Sequence, residues 1–553
     1  MKSTALAVAI ALTGINCLSY FVFPGHTYLT SDTQIYLPML ERLWDPQQLG
    51  KDLIATNPHL SFTIYDELAL AGRKVSGLGF NKVLPALHFV FRLAGIYGIW
   101  LIFRAWSFSR VVSLFGVGCY ALGAFVHGPA VMLWELEPVP RAMALPLLWL
   151  AIGWIANECP KRAAVAAGVA LLVHPPTVWA VWLVMGFLLV RPPATGAWRQ
   201  NRLQVGGILA SFVVLLIIVS KFQTGEQEKQ TFFVFLDQSL EDLQRMRASY
   251  NWVGMWLNLW WGKYLLLLAA ALLSAKLLWV LAPESLRYFH VGLTLIGVFS
   301  IPLSYLILEQ GKWAMGPQLQ VGRALLFVMA WAVLGAIAVG IRYAQRRRYW
   351  LSLVWFYLAY AVPVQTQTWE AFVPFLTKEA VAKKIVLMLV LSMLAVAANV
   401  LANRKAVAGR YLICLAIILP FWAIPNVAGI STHPKVYNPD LESLIAWTKQ
   451  TPADSVFHFP DAGKELYPGV FRGESARAIF VDWKSGGQVN FHKRLADEWW
   501  ARWQATLAKP YLTSLEAYKS VPVDYLVLKA KDRFKETIPV FENSTFVVYS
   551  THQ

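Results

Sequence analysis

Apolar residues run for the thickness of a bilayer again and again along this 553-residue chain, and no other feature constrains its fold as much. A membrane-spanning helix needs about 20 such residues. The stretches 4–23, 83–103, 111–127, 141–156, 163–173, 175–190, 205–220, 263–281, 289–308, 323–341, 349–363, 384–402 and 411–429 give thirteen candidates. Composition agrees: 57% of residues are hydrophobic and 15% charged, with a mean hydropathy of +0.48. Soluble domains run near 45–50% and about 25%, and a globule of this length cannot enclose so much apolar surface. The chain is predicted to be an α-helical polytopic membrane protein. His174-Pro175-Pro176 interrupts the run 163–190, so two short helices are expected there. The opening run to Phe23 is read as an uncleaved first helix, because no small-x-small cleavage site precedes Pro24.

The net charge of +17 does not point to nucleic acid, because of where it lies. Residues 431–553 hold 15 Lys/Arg and 14 Asp/Glu, leaving +16 in the hydrophobic part, mostly in short clusters between apolar runs. With the N-terminus cytoplasmic, the inside connections carry 15 Lys/Arg, among them Arg104, Arg110, Lys161, Arg162 and the run Arg346-Arg347-Arg348, against two acids, Glu158 and Glu284. This alternation follows the positive-inside rule. An odd number of spans then puts residues 431–553 outside, which in a bacterial inner membrane is the periplasm. The outer loops are the long ones, at 24–82, 128–140, 221–262, 309–322 and 364–383. Two domains are expected: a transmembrane domain over 1–430 with these loops, and a periplasmic α/β domain over 431–553. In the latter, strands are predicted near 455–459, 478–482, 524–528 and 538–549, with Asn543-Ser544 as a hairpin turn. A helix over 493–507 presents Trp499, Trp500 and Trp503, which suit either the bilayer interface or the domain's own core. Cys17, Cys119, Cys159 and Cys414 lie in or beside apolar runs, with no disulfide framework and no metal-like spacing.

Chemistry is sought where polar residues meet the outer membrane edge. Asp32, in Thr30-Ser31-Asp32-Thr33, follows the first span by a few residues and is placed to act as general base for a hydroxyl at headgroup level. The competing reading is that Asp32 caps the helix starting at Thr33. In Trp134-Glu135-Leu136-Glu137-Pro138-Val139-Pro140-Arg141, the prolines favour an extended chain, which points Glu135 and Glu137 the same way. Such a pair suits a divalent cation (Mg or Mn) or a sugar. Arg141 suits a lipid phosphate, with an ordinary solvated loop and a snorkelling arginine as the alternative. Lys312 and Arg323 are basic on the side where few bases are expected, which marks them as further phosphate ligands. The segment 65–70 reads as an interfacial amphipathic helix. Gly-rich phosphate loops, Ser/His/Asp sets and zinc signatures are absent from the sequence.

This layout resembles the GT-C superfamily of membrane glycosyltransferases. The resemblance rests on Asp32 just after span one, on Glu135 and Glu137 in the second outer loop, and on the tail pattern Trp447…Thr451-Pro452-Ala453-Asp454-Ser455-Val456-Phe457 ending in Pro539-Val540-Phe541-Glu542-Asn543. It implies a polyprenyl-phosphate-linked sugar as donor, membrane lipids around the protein, and Asp32 as the catalytic aspartate of the first loop. Two departures matter. Glu-Leu-Glu stands where Asp-containing pairs are commoner, and Trp499-Trp500 is followed by Ala501, so the Trp-Trp-Asp motif of oligosaccharyltransferases is absent. The expected function is transfer of a sugar to a lipid, glycan or protein acceptor on the periplasmic face. The alternatives are a non-catalytic subunit of an envelope polysaccharide assembly system and a lipid or polysaccharide transporter; the few mid-span charges and the absence of an internal repeat count against the transporter.

Overall fold

The computed structural model describes residues 2–58, 62–194, 196–223, 234–364, 379–404, 406–431, 438–490, 493–507 and 514–552. Most of the predicted loop 364–383 and part of 221–262 lie outside the described residues. A helix stands at each of the thirteen apolar stretches, from Lys2–Phe21 to Val407–Ala428. By length and composition seven of the described helices can cross a membrane: Phe80–Ala105, Ala197–Phe222, Asn258–Leu278, Glu284–Gln310, Gly316–Gln345, Val381–Asn403 and Val407–Ala428. The chain is a multi-pass, mostly helical membrane protein with a C-terminal sheet domain.

Proline sets several helix starts. Pro140–Ala156, Pro160–Val173 and Pro175–Val190 each begin on proline, whose missing N–H is one that no helix turn would have satisfied. The interruption at His174 is real, with the ring Nδ1 2.7 Å from Thr177 Oγ1. Helix Leu325–Gln345 is apolar all round and buried nearly all round, so it forms the centre of the bundle. Helices Phe80–Ala105 and Pro140–Ala156 cross closely at glycines. A Cβ on Gly98 would stand 2.4 Å from the Leu150 nitrogen, so only glycine permits this approach. That crossing carries Arg92 and Arg141 on adjacent helices.

Arg92 is a mid-span charge that the sequence reading passed over. It is buried, and its guanidinium donates to the carbonyls of Ser19 (3.1 Å) and Gly25 (3.0 Å) and also to that of Glu135. One side chain thereby ties the end of the first helix to both loops that bear the predicted site.

The C-terminal sheet has the order Ala478–Ile479, Val456–His458, Tyr525–Lys529, Phe546–Ser550, Phe541–Glu542. The first three strands are parallel and the last two join by antiparallel pairing, with Phe541 opposite Val548. Asn543 Oδ1 accepts from the Phe546 nitrogen at 2.8 Å and closes the hairpin turn. Trp499 and Trp503, on Lys493–Thr506, are buried against Trp483 and one another, so of the two readings of that aromatic face the core reading holds.

The domain is not loosely appended. Arg472, 1% exposed, lies 3.0 Å from Asp482 and 3.7 Å from Asp52, and donates to the Gln34 carbonyl at 3.1 Å. Asp52 in turn accepts from the Ile479 nitrogen at 3.1 Å, and Gln34 Nε2 donates to the Leu466 carbonyl at 3.0 Å. These bonds fasten the domain to the first loop.

Candidate active site

Asp32 precedes helix Thr33–Trp44, yet its side chain makes no capping hydrogen bond. The cap comes from another loop. Glu137 Oε1 accepts from the Thr30 nitrogen (2.7 Å), the Thr30 hydroxyl (2.9 Å) and the Ser31 nitrogen (2.6 Å), and Oε2 accepts from the Thr33 nitrogen (2.9 Å). A carboxylate at a helix N-terminus is stabilised by the converging N–H groups and the helix dipole. Glu137 therefore does what the sequence suggested for Asp32, and the Asp32 carboxylate is left to face other charges.

Those charges are two cations. Arg141 Nη2 lies 2.9 Å from Asp32 Oδ2 and Lys484 Nζ lies 2.8 Å from Asp32 Oδ1. Arg141 also reaches Glu135, with Nε 2.7 Å from Oε1. The result is a chain Lys484–Asp32–Arg141–Glu135 in which the two acids alternate with the two bases. The Asp32 side chain is 28% exposed. Burial opposes its ionisation, but Lys484 and Arg141 outweigh that cost and hold its carboxyl well below the usual range.

Glu135, Arg141 and Arg323 line one pocket, with Val131, Leu145 and Phe327 as apolar walls. Arg323 sits in the turn Val321–Ala324 at the head of the central helix. It donates to the Gln320 side chain and stacks on the Tyr250 ring, 5.1 Å from guanidinium carbon to centroid. Its buried Nε has no hydrogen-bond partner among the described residues, a donor that costs free energy unless an acceptor reaches it.

The sequence-predicted residues thus divide. Asp32, Glu135, Arg141 and Arg323 come together, and Glu137 lies beside them in a supporting role. Lys312 does not join them: its ammonium is 2.9 Å from Glu241, which Arg245 also holds at 2.9 Å. Glu135 and Glu137 do not act as a pair either, since one faces Arg141 and the other the backbone of the first loop. These carboxylates do not converge on one point as a ready-made cation site. Each is already matched by a base or by N–H donors, and the described residues contain no group of three metal-ligating side chains.

The sequence reading missed Lys484, in Trp483-Lys484-Ser485-Gly486-Gly487. The signal available was the Gly-Gly pair after a strand, which marks close backbone approach. A Cβ on Gly486 would stand 2.5 Å from the Trp499 ring, and one on Gly487 2.9 Å from Ile35 of helix Thr33–Trp44.

No family model and no curated protein sequence matches the chain. Among solved structures, it is similar to ArnT from Cupriavidus metallidurans in the apo state, with a TM-score of 0.53 and 13% identity over 100% of this chain and 98% of that one. The oligosaccharyltransferase of Archaeoglobus fulgidus aligns with a TM-score of 0.46 and 10% identity over 95% of this chain and 69% of that one. The arabinofuranosyltransferase AftD from Mycobacteria aligns with 0.41 and 12%, over 98% and 41%. At such identities a likeness speaks for fold alone, and the full-length match shows that this chain shares the fold of ArnT.

Proposed function

We propose that this protein is an inverting glycosyltransferase that takes a sugar from a polyprenyl-phosphate donor at the periplasmic face of a bacterial inner membrane. The observation that carries the reading is the placement of a carboxylate, Asp32, against Arg141 at a pocket that Arg323 also lines with an unpartnered buried donor. The donor's phosphate enters between Arg141 and Arg323, where guanidinium groups match its oxygens. It competes with Asp32 for Arg141, and that competition frees the carboxylate from one of its two cations. The acceptor hydroxyl oxygen then attacks C1 of the sugar as the C1–O bond to phosphate breaks. Asp32 takes the hydroxyl proton, and the lipid phosphate leaves with its charge stabilised by the two arginines. Glu135 keeps Arg141 oriented and Glu137 keeps Asp32 at the mouth of its helix. Arg92 argues against a transport path, because this mid-span charge is committed to three backbone carbonyls. We take residues 1–430 as the unit that holds the lipid and 431–553 as the periplasmic domain.

Donor titration tests the clamp. Purified protein in nanodiscs should bind polyprenyl phosphate and discriminate against the uncharged polyprenol. Arg323→Lys should weaken that binding by about tenfold or more, because a point charge cannot replace two parallel bonds, and Arg323→Ala should weaken it further. Wild-type affinity in the lysine variant, or no preference for the phosphate, would remove the reading. Orientation has its own check. Reporter fusions after Gln345 should read cytoplasmic and fusions after residue 553 periplasmic. A cytoplasmic reading for the second would overturn the placement of the C-terminal domain.

A further inference from the structure

We propose that Lys484 is a positioning residue of the site, through which the seated C-terminal domain fixes the orientation and charge of the Asp32 carboxylate. The inference rests on the reading of Asp32 as general base and extends it to a domain that contributes no residue to that reading.

Three observations carry it. The first is contact: Lys484 Nζ is 2.8 Å from Asp32 Oδ1 and 3.0 Å from the Ser31 hydroxyl, so one ammonium grips both the carboxylate and the residue before it. The second is enclosure. The Lys484 side chain is 15% exposed, and its loop is packed from both sides. Arg247, from helix Gln238–Arg247, stacks on the Trp483 ring at 3.7 Å and donates to the Trp483 carbonyl at 2.6 Å. Gly486 and Gly487 press against Trp499 and Ile35. An ion pair whose partners are held this firmly and are largely out of water is worth more than a surface pair. The third is redundancy. The domain is already fastened to the first loop by Arg472, Asp52, Gln34 and Leu466. Docking does not need Lys484, whereas Asp32 without it keeps Arg141 alone, the cation that the donor's phosphate competes for.

The charges acting on Asp32 come from every neighbouring element. Lys484 belongs to the C-terminal domain, Arg141 and the Glu135 behind it to the second loop and its helix, and Arg323 to the turn before the central helix. Arg247 lies on the helix Gln238–Arg247, and the Tyr36 phenol on helix Thr33–Trp44. With Arg141 engaged by phosphate, Lys484 is the cation left in direct contact with the carboxylate. Removing it raises the proton affinity of Asp32, so protonation, and with it loss of the base, must occur at a higher pH.

The test reads Asp32 itself. Difference infrared spectra of protein with carbon-13-labelled aspartate, taken against Asp32→Asn, isolate its carboxylate band through a pH titration. In Lys484→Met the protonation midpoint should rise by about one pH unit or more, the usual effect of a contacting opposite charge. The acid limb of the transfer rate should rise with it. Lys484→Arg, which keeps the charge, should leave both near the wild type. Thermal unfolding should show all variants folded, since Arg472 and Gln34 fasten the domain to the first loop without Lys484. An unmoved midpoint in Lys484→Met, or an arginine variant that moves as far as methionine, overturns the proposal. A midpoint that rises while the acid limb stays fixed supports the grip of Lys484 on Asp32 and instead removes Asp32 as the base.

Discussion

Asp32→Asn should reduce sugar transfer by about 10²–10⁴-fold, the range associated with loss of a positioned general base. Asparagine keeps the size of the side chain and can still accept one hydrogen bond, but it cannot take the acceptor's proton. The substitution does not uncap the following helix, because Glu137 supplies that cap. It also releases Arg141 from its 2.9 Å contact with the carboxylate. Donor affinity should therefore hold or improve while turnover falls, a split between binding and catalysis that a folding defect does not produce. Steady-state kinetics with a lipid-linked donor, beside a direct binding isotherm, measures both. Unchanged turnover would reduce Asp32 to a structural partner of Arg141 and Lys484.

Arg472→Met should destabilise the seating of the C-terminal domain by about 3–5 kcal/mol, the cost of removing one partner from a buried charged cluster. The guanidinium lies 3.0 Å from Asp482 and 3.7 Å from Asp52, both buried. The two carboxyls behave differently. Burial pushes Asp52 upward beyond what Arg472 recovers, whereas at Asp482 the burial cost is outweighed by Arg472 and by hydrogen bonds from Ser485, which hold it below the usual range. In the wild type the Asp482 contribution is present above the unfolded carboxylate pKa and is lost as pH falls through the lower folded value. Without the cation, burial dominates at both acids and raises both folded values. The variant should then gain stability as pH falls, and its deficit should be largest at neutral pH and shrink toward pH 5. Thermal unfolding, or proteolysis of the domain, across that range measures it. A deficit independent of pH would mean that shape, not charge, is what Arg472 supplies. Adding Asp482→Asn to Arg472→Met should recover part of the loss.

Much of the site was legible because membrane chemistry leaves few readings for a charge beside a hydrophobic run. Asp32, Arg141 and Arg323 stand out for that reason, and in the structure Arg141 joins them, paired with Asp32 and lining one pocket with Arg323. The role of Glu137 was not legible, since nothing in its i, i+2 spacing from Glu135 indicates that its carboxylate turns to the backbone of residues 30–33. Lys312 misled for a related reason. Its position against the charge bias was informative, but Glu241, 71 residues earlier in the chain, satisfies it locally. The aromatic face of 493–507 had two readings of equal standing, and only the burial of Trp499 and Trp503 separated them.

Helix placement follows from local terms that a sequence states directly: the apolar run, the proline at its start, the basic cluster at its end. By itself, then, the sequence determined a polytopic helical chain with long polar loops after particular spans and a terminal domain of mixed strands and helix. The joining of Lys484 to Asp32, 452 residues apart, was decided only by tertiary structure. The same holds for Arg472 on Gln34 and for Arg92 on three carbonyls from separate segments. Such contacts depend on which loop lands on which, and that is set by the close backbone crossing at Gly98, by the packing of side chains onto Gly486 and Gly487 and by the demand that buried polar groups find partners. Neither leaves a periodic trace along the chain, because the partner of a buried charge is chosen by distance in space and not by spacing in sequence.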